Sequence, residues 1–287
     1  MANAVLSEVV GTEHRVMSDG FGIFAWEKRL PDPIGERVAL LVHGATYSGA
    51  TDFDVQTAGQ DASLMDFLAL RGIDVFTMDV RGYGRSEKPE DASSVTTEAA
   101  TRDIGAVIDY VCGTRGVEKV DLLGWSWGGI TTALHTSRRP EKVRRLVMYA
   151  GGASHGAGRP PASESWVTST RESIMARIEQ DVVATDAQEA FIAAALRWDA
   201  RSPAAGRALS GPDGKPLRAA PEDINVPTLV IYGARDAGYR PEEVSSFFAR
   251  LNTTDKALIV VPNAGHFLLI QKMRGRLFDA AAQWFIY

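Results

Sequence analysis

Two glycines set two residues either side of a serine, Gly124-Trp125-Ser126-Trp127-Gly128, form the arrangement in this chain with the clearest chemical use. The spacing suits a tight, strained turn that leaves a serine oxygen projecting above a sheet, with the next backbone N–H aimed at the same spot. An apolar run, Val120–Gly124 (VDLLG), precedes the turn and a helical pattern, Ile130–Arg139 (ITTALHTSRR), follows it. An ordinary strand-to-helix turn that happens to hold a serine is the other reading, since the chain has 27 glycines. A serine hydroxyl is a poor nucleophile at neutral pH. It needs a base within hydrogen-bond reach and a carboxylate to orient that base. The candidate bases are five histidines: His14, His43, His135, His155 and His266.

The elements that must position these groups are legible as alternation. Apolar runs rich in β-branched residues occur at Arg37–His43, Ile73–Asp79, Val117–Gly124, Val143–Ala150, Pro227–Gly233 and Lys256–Pro262. Between them lie stretches with helical spacing, such as Thr97–Val111. Strands apolar on both faces that alternate with helices imply an α/β protein with a largely parallel sheet covered on both sides. Near the start, Gly11–Ser18 and Gly22–Leu30 flank Asp19-Gly20, which reads as an edge hairpin. The alternation breaks between Gly151 and Asp223. There Ser165–Ala184 reads as one amphipathic helix, and Thr185–Gln188 as a capping box opening a second helix through Trp198. A segment with Pro203, Gly206, Gly211, Pro212, Gly214, Pro216 and Pro221 follows, too rich in breakers for regular structure. The division implied is a core of residues 1–150 and 223–287 with a cap inserted at 151–222.

Composition excludes several classes. The 287 residues are 45% hydrophobic and 23% charged, which argues against disorder and allows a substantial core. A formal charge of −5 gives no basic footprint for nucleic acid. The single cysteine, Cys112, excludes an intramolecular disulfide framework and a Cys-rich metal site. No apolar run approaches the roughly 18 residues needed to span a bilayer. Met1–Arg15 lacks a basic region followed by an apolar one, so a cytoplasmic location is expected. No phosphate cradle or metal-ligand cluster stands out, so no cofactor is expected.

The elbow and its context resemble the α/β-hydrolase superfamily over nearly the whole chain. His43-Gly44 after the third strand is similar to that family's oxyanion-loop signature, and Asp79-Val80-Arg81-Gly82-Tyr83-Gly84-Arg85-Ser86 to its D-x-R-G-x-G-x-S turn. The resemblance implies a mostly parallel eight-stranded sheet, helices on both faces and an inserted helical cap. It also implies the order nucleophile, acid, histidine. His266, in the loop Asn263–Phe267 after the run LIVVP, is then the base. His14 falls on the first edge strand, His135 inside the helix after the elbow, and His155 at the start of the cap, where it is the rival. Asp236, at the end of the strand PTLVIYG, is the acid; a turn-forming Asp is the other reading. The same resemblance assigns the oxyanion hole to the backbone N–H groups of Ala45 and Trp127. His43 would brace that loop, and Thr46 or Tyr47 could add a side-chain donor.

Around this centre, His43, Tyr47, Trp125, Trp166, Met175 and Trp198 are the expected pocket residues. Phe191 is a further apolar candidate, although an amphipathic cap helix buries one face in any case. Arg138, Arg139, Arg144 and Arg145 read as a solvated face, Arg235 as a salt-bridging residue, and Cys112 as a small buried one. The reaction implied is cleavage of a small-molecule carboxylic ester or lactone through an acyl-enzyme. A serine at the elbow argues against haloalkane dehalogenase or epoxide hydrolase chemistry, whose family members use Asp there. His43–Gly49 and the GWSWGG elbow are also similar to macrolide-inactivating esterases, which implies a macrocyclic lactone as one substrate. The same three residues would serve a C–C bond hydrolase, a perhydrolase or an acyltransferase. A non-catalytic receptor on the hydrolase fold is the reading from another class.

Overall fold

A computed structural model describes residues 9–31, 37–59, 61–154, 165–203 and 217–287. Its framework is an eight-stranded sheet in the order β1-β2-β4-β3-β5-β6-β9-β10. The first two strands, β1 (Val10–Ser18) and β2 (Phe21–Arg29), form an antiparallel hairpin. Asp19 and Gly20 both take positive φ, 48° and 84°, as a twist-matched two-residue turn demands. β2 pairs antiparallel with β4 (Asp74–Asp79). From there β3 (Val38–Val42), β5 (Val120–Trp125), β6 (Val143–Tyr149), β9 (Thr228–Gly233) and β10 (Lys256–Val261) run parallel. The expected sheet is therefore present, with its strands within a few residues of the apolar runs.

Helices cover both faces. α3 (Thr97–Arg115) packs with α4 (Trp127–Arg138), and α2 (Leu64–Ala69) with α8 (Arg274–Ile286). Burial explains the uninterrupted apolar runs: every residue of β3, β4, β5 and β9 is buried. α3 begins where the Thr96 side chain accepts a bond from Ala99 N–H and ends at Gly116, whose φ of 66° terminates it. α1 (Gly49–Phe53) is a short turn of helix after β3, and α7 (Pro241–Arg250) precedes β10.

The segment between β6 and β9 departs from expectation. Ser165–Ala184 is not one helix. Trp166–Thr168 forms β7, which pairs antiparallel with β8 (Arg201–Pro203), and helix returns only as α5 (Arg171–Met175). The capping box lies at Thr170 and Ser173, not at Thr185. α6 does run Thr185–Trp198, but Ala184 occupies its N-cap position without a side-chain bond. Tertiary pairing overrides the apolar spacing. Ala184 N–H bonds Ile270 O at 3.1 Å and Lys272 N–H bonds Val182 O at 3.0 Å, drawing β-branched Val182 and Val183 into extended contact with the chain before α8. Most of the proline- and glycine-rich stretch, and His155, lie outside the described residues.

Candidate active site

The sequence turns hardest at the end of β5. Ser126 has φ 56° and ψ −115°, strained values for a residue with a side chain, and α4 starts at the next residue. Glycines make the turn possible by contact as much as by torsion. A Cβ on Gly128 would lie 2.2 Å from Val42 O, and one on Gly124 2.2 Å from Gly128 O. The strained serine is held by its own backbone, with Ser126 N–H bonded to Tyr149 O at 2.8 Å.

Three expected residues come together across long stretches of sequence. Ser126 Oγ lies 3.0 Å from His266 Nε2, and His266 Nδ1 lies 2.8 Å from Asp236 Oδ2. A carboxylate at Nδ1 places the proton on that nitrogen, leaving the Nε2 lone pair for the serine O–H. Asp236, just past β9, also accepts Gly238 N–H at 2.7 Å through Oδ1. Its side chain is 1% exposed and that of His266 29%, so solvent reaches the imidazole while the acid is sealed behind it. Trp125 packs beside the imidazole, with ring centres 5.4 Å apart, and stacks on Tyr149.

The His266 backbone is clamped as well. Its carbonyl accepts the Tyr149 hydroxyl at 2.8 Å and Trp125 Nε1–H at 3.1 Å. Burial pushes the Tyr149 hydroxyl well above its ordinary range, so it remains a donor. The His266 N–H donates to Glu179 Oε1 at 2.8 Å.

Opposite the serine runs the loop after β3. Gly44 is packed so closely that a Cβ there would sit 3.3 Å from Ser126 Cβ. Its N–H is occupied by Asp52 Oδ2 at 3.1 Å. Among the described residues, no hydrogen bond engages the backbone N–H of Ala45 or Trp127. Thr46 takes a φ of 121°, rare for a β-branched residue, and its hydroxyl accepts from Arg177 at 2.9 Å. Three buried carboxylates shape this loop. Asp199, at the end of α6, accepts Ser48 N–H at 3.0 Å, the Ser48 and Thr51 hydroxyls at 2.8 Å each, and Gly84 N–H at 3.1 Å. Asp79 accepts Gly49 N–H at 2.9 Å and Arg85 N–H at 2.8 Å. Burial raises the pKa of all three, that of Asp79 to about 6.

The remaining histidines separate clearly. His14 bonds Tyr110 and Glu27 at 2.9 Å each, and His135 is buried within α4. His43 braces the loop and does not line a pocket. It is fully buried, with Nδ1–H donated to Gly44 O at 2.7 Å and Nε2 accepting Val80 N–H at 2.9 Å. Burial lowers its pKa to about 4, so it is a neutral strut.

Of the other expected pocket residues, Tyr47 is 2% exposed and meets Phe191 and Phe267 edge-on. Burial raises its hydroxyl pKa to about 12. Trp198, at the end of α6, is half-buried and lies under Arg85 and Arg197. Arg85 stacks over it and also over Phe24 and Trp26 of β2, which puts the indole on the hairpin side. Trp166 is stacked by Arg201, and Met175 packs half-buried against the core. Among the described residues, no hydrogen bond or ring contact joins either to Ser126 or His266.

The arginines read as a solvated face each pair with a carboxylate: Arg138 with Glu98, Arg139 with Asp109, Arg144 with Asp121 and Arg145 with Asp255. Arg235 pairs with Asp181 at 2.7 Å, and Cys112 is buried. Sequence reasoning missed Asp52, Tyr149, Glu179 and Asp199. Asp52 and Asp199 carried one weak signal, a carboxylate set among apolar or aromatic neighbours; Glu179 carried none. No described group of His, Cys, Asp or Glu side chains is arranged to hold a metal. No described helix is long and apolar enough to cross a membrane.

Sheet order, elbow and the hydrogen-bonded Ser–His–Asp row define an α/β-hydrolase. A family model described as serine aminopeptidase, S33, matches residues 55–272, and the chain belongs to that family. The human protein named serine hydrolase BPHL is 30% identical over 119 residues, 42% of this chain and 37% of its own length. A 2-hydroxy-6-oxononadienedioate/2-hydroxy-6-oxononatrienedioate hydrolase of Escherichia coli is 29% identical over 119 residues, 41% of this chain and 37% of its own length. The alignments thus span little more than a third of these relatives. Among solved structures, a thioesterase domain from the curacin biosynthetic pathway has a TM-score of 0.69 at 20% identity, covering 97% of this chain and 100% of that one. A meta-cleavage product hydrolase from Pseudomonas fluorescens has a TM-score of 0.66 at 18% identity, covering 95% and 97%. At such identities the likeness establishes the fold alone.

Proposed function

We propose that the chain is a serine hydrolase that cleaves a carboxylic ester or lactone through an acyl-enzyme on Ser126. The observation that carries this reading is the row Ser126–His266–Asp236 at 3.0 and 2.8 Å, with no described hydrogen bond engaging the backbone N–H of Ala45 or Trp127. His266 Nε2 takes the hydroxyl proton as Ser126 Oγ attacks the carbonyl carbon. The negative charge that develops on the carbonyl oxygen is met by Ala45 and Trp127 N–H. Losing one such donor typically costs about a hundredfold or more in rate. Collapse expels the alkoxide, which receives the proton from His266. Water, deprotonated by the same imidazole, then attacks the acyl-serine; the C–Oγ bond breaks, Ser126 Oγ takes the proton back from the imidazolium, and the acid is released. Asp236 keeps the Nδ1 proton in place and offsets the imidazolium charge in both halves. The sequence uses no cofactor. A macrocyclic lactone fits the same chemistry, with ring opening instead of departure of an alcohol.

A second reading, hydrolysis of a C–C bond in a meta-cleavage product, draws on the names of the Escherichia coli relative and the Pseudomonas fluorescens structure. Turnover of p-nitrophenyl esters by the wild-type chain and by Ser126→Ala tests the mechanism. Loss of turnover in the variant supports it, and full activity contradicts it. Mass spectrometry then separates substrates: lactone opening adds one water without fragmentation, whereas C–C cleavage yields two products.

A further inference from the structure

Among the described residues, the segment between β6 and β9 hydrogen-bonds His266 through one carboxylate, that of Glu179. Glu179 Oε1 accepts the His266 N–H at 2.8 Å, and Oε2 accepts Gln271 Nε2–H at 2.8 Å. Gln271, fully buried, turns its Oε1 to the Gly265 N–H at 2.9 Å. Two consecutive N–H groups of the histidine loop are thus captured by one Glu–Gln pair. We propose that Glu179 is a positioning residue, holding the His266 loop so that the imidazole meets Ser126. The inference rests on the reading of His266 as the base.

The polarity of this network requires a carboxylate. Because Gln271 must present oxygen to Gly265 N–H, its amide NH2 faces Glu179. Glu179 must then accept at both terminal atoms, from that NH2 at Oε2 and from His266 N–H at Oε1, whereas a glutamine carries a donor NH2 at one of them. Packing agrees with the hydrogen bonds: a Cβ on Gly265 would fall 2.2 Å from the Glu179 carboxyl, so the loop lies flush against it. The carboxylate is itself anchored by the Val183–Gln271 bridge and the bond from Lys272 N–H to Val182 O. Arg235, which feels the Glu179 charge, is paired with Asp181 at 2.7 Å. The His266 carbonyl is held from the core by Trp125 and Tyr149, so Glu179 supplies the opposing hold on the same residue. Displacing the segment that carries Glu179 would release the imidazole from its 3.0 Å contact with Ser126.

A swap of the two side chains tests the inference. In Glu179→Gln two NH2 groups oppose each other. In Glu179→Gln with Gln271→Glu the donors and acceptors match again, with the charge moved onto residue 271. The readout is the burst of p-nitrophenol from p-nitrophenyl acetate, which reports acylation of Ser126, with Tm measured in parallel. No release of p-nitrophenol by the wild-type chain, in a burst or at steady state, would overturn the proposed function itself, so the two failures are distinguishable. With an active wild type, Glu179→Gln is expected to slow acylation by ~10- to 100-fold at little cost in KM, since small misplacement of a catalytic group has effects of this size. The double variant is expected to recover most of that loss. A burst within twofold of wild type in Glu179→Gln, or a double variant no faster than the single one, overturns the proposal. Amide hydrogen exchange of the wild-type chain gives a reading independent of folding in the variants. Strong protection at Gly265 and His266 is expected, and rapid exchange at both refutes the clamp.

Discussion

Asp79 should make the fold less stable as pH rises through the weakly acidic range. Its carboxyl is buried at the end of β4 and accepts only two backbone N–H groups, from Gly49 and Arg85. Burial outweighs these bonds, and the nearby Asp199 adds like charge, raising the pKa from 3.8 to about 6. A carboxyl whose folded pKa is raised binds its proton more tightly when folded. Its contribution is therefore fully present below the unfolded value and lost as pH rises through about 6. At 1.36 kcal/mol per pH unit, the difference amounts to about 3 kcal/mol. Asp79→Asn removes the titration and leaves one N–H facing an amide NH2, a pH-independent loss of about 1–3 kcal/mol. Chemical denaturation of both proteins from about pH 4 to pH 7 isolates the effect, because most other titrating groups cancel in the difference. Wild-type stability relative to the variant should fall by about 2.4 kcal/mol over this range, the rest of the difference being lost below pH 4. A difference that stays flat, or grows with pH, refutes the assignment of Asp79 as a group ionised against its surroundings.

Two further outcomes follow from the site. Gly128→Ala places a Cβ 2.2 Å from the Val42 carbonyl oxygen, a backbone atom that cannot swing aside. It should destabilise by about 3 kcal/mol or more, near the upper end for overpacking, and a Tm within a degree of wild type would contradict the contact. Asp236→Asn retains the shape beside His266 Nδ1 but favours the wrong tautomer, so kcat should drop by ~10⁴-fold with the fold intact. Circular dichroism together with ester turnover checks this, and a loss below tenfold would remove Asp236 from its role.

The elements that hold Ser126, Asp236 and His266 were legible because each obeys a local rule. The elbow needs glycine at fixed spacing, and the acid and base follow apolar runs that form strands, buried β9 and the half-exposed edge strand β10. Ser165–Ala184 was not legible for the opposite reason. Its apolar spacing suits a helix, but β7 is stabilised by β8, and Val182 and Val183 by the chain before α8, both distant in sequence. The Arg85 contact of Trp198 was not legible, because an aromatic residue at the end of a helix carries no mark of which way it faces. Glu179 looks like surface charge in the sequence, and Asp199 is marked only by its neighbours Trp198 and Ala200. Only the fold shows that they accept from His266 and Ser48.

The central claim is that His266 activates Ser126 as the nucleophile. Incubation with a fluorophosphonate, followed by peptide mapping, tests it most directly, because phosphonylation requires an activated hydroxyl. The account predicts one modified peptide, carrying the label on Ser126, and no label in His266→Ala. Label on a different residue, or none on the folded wild-type chain, would contradict it.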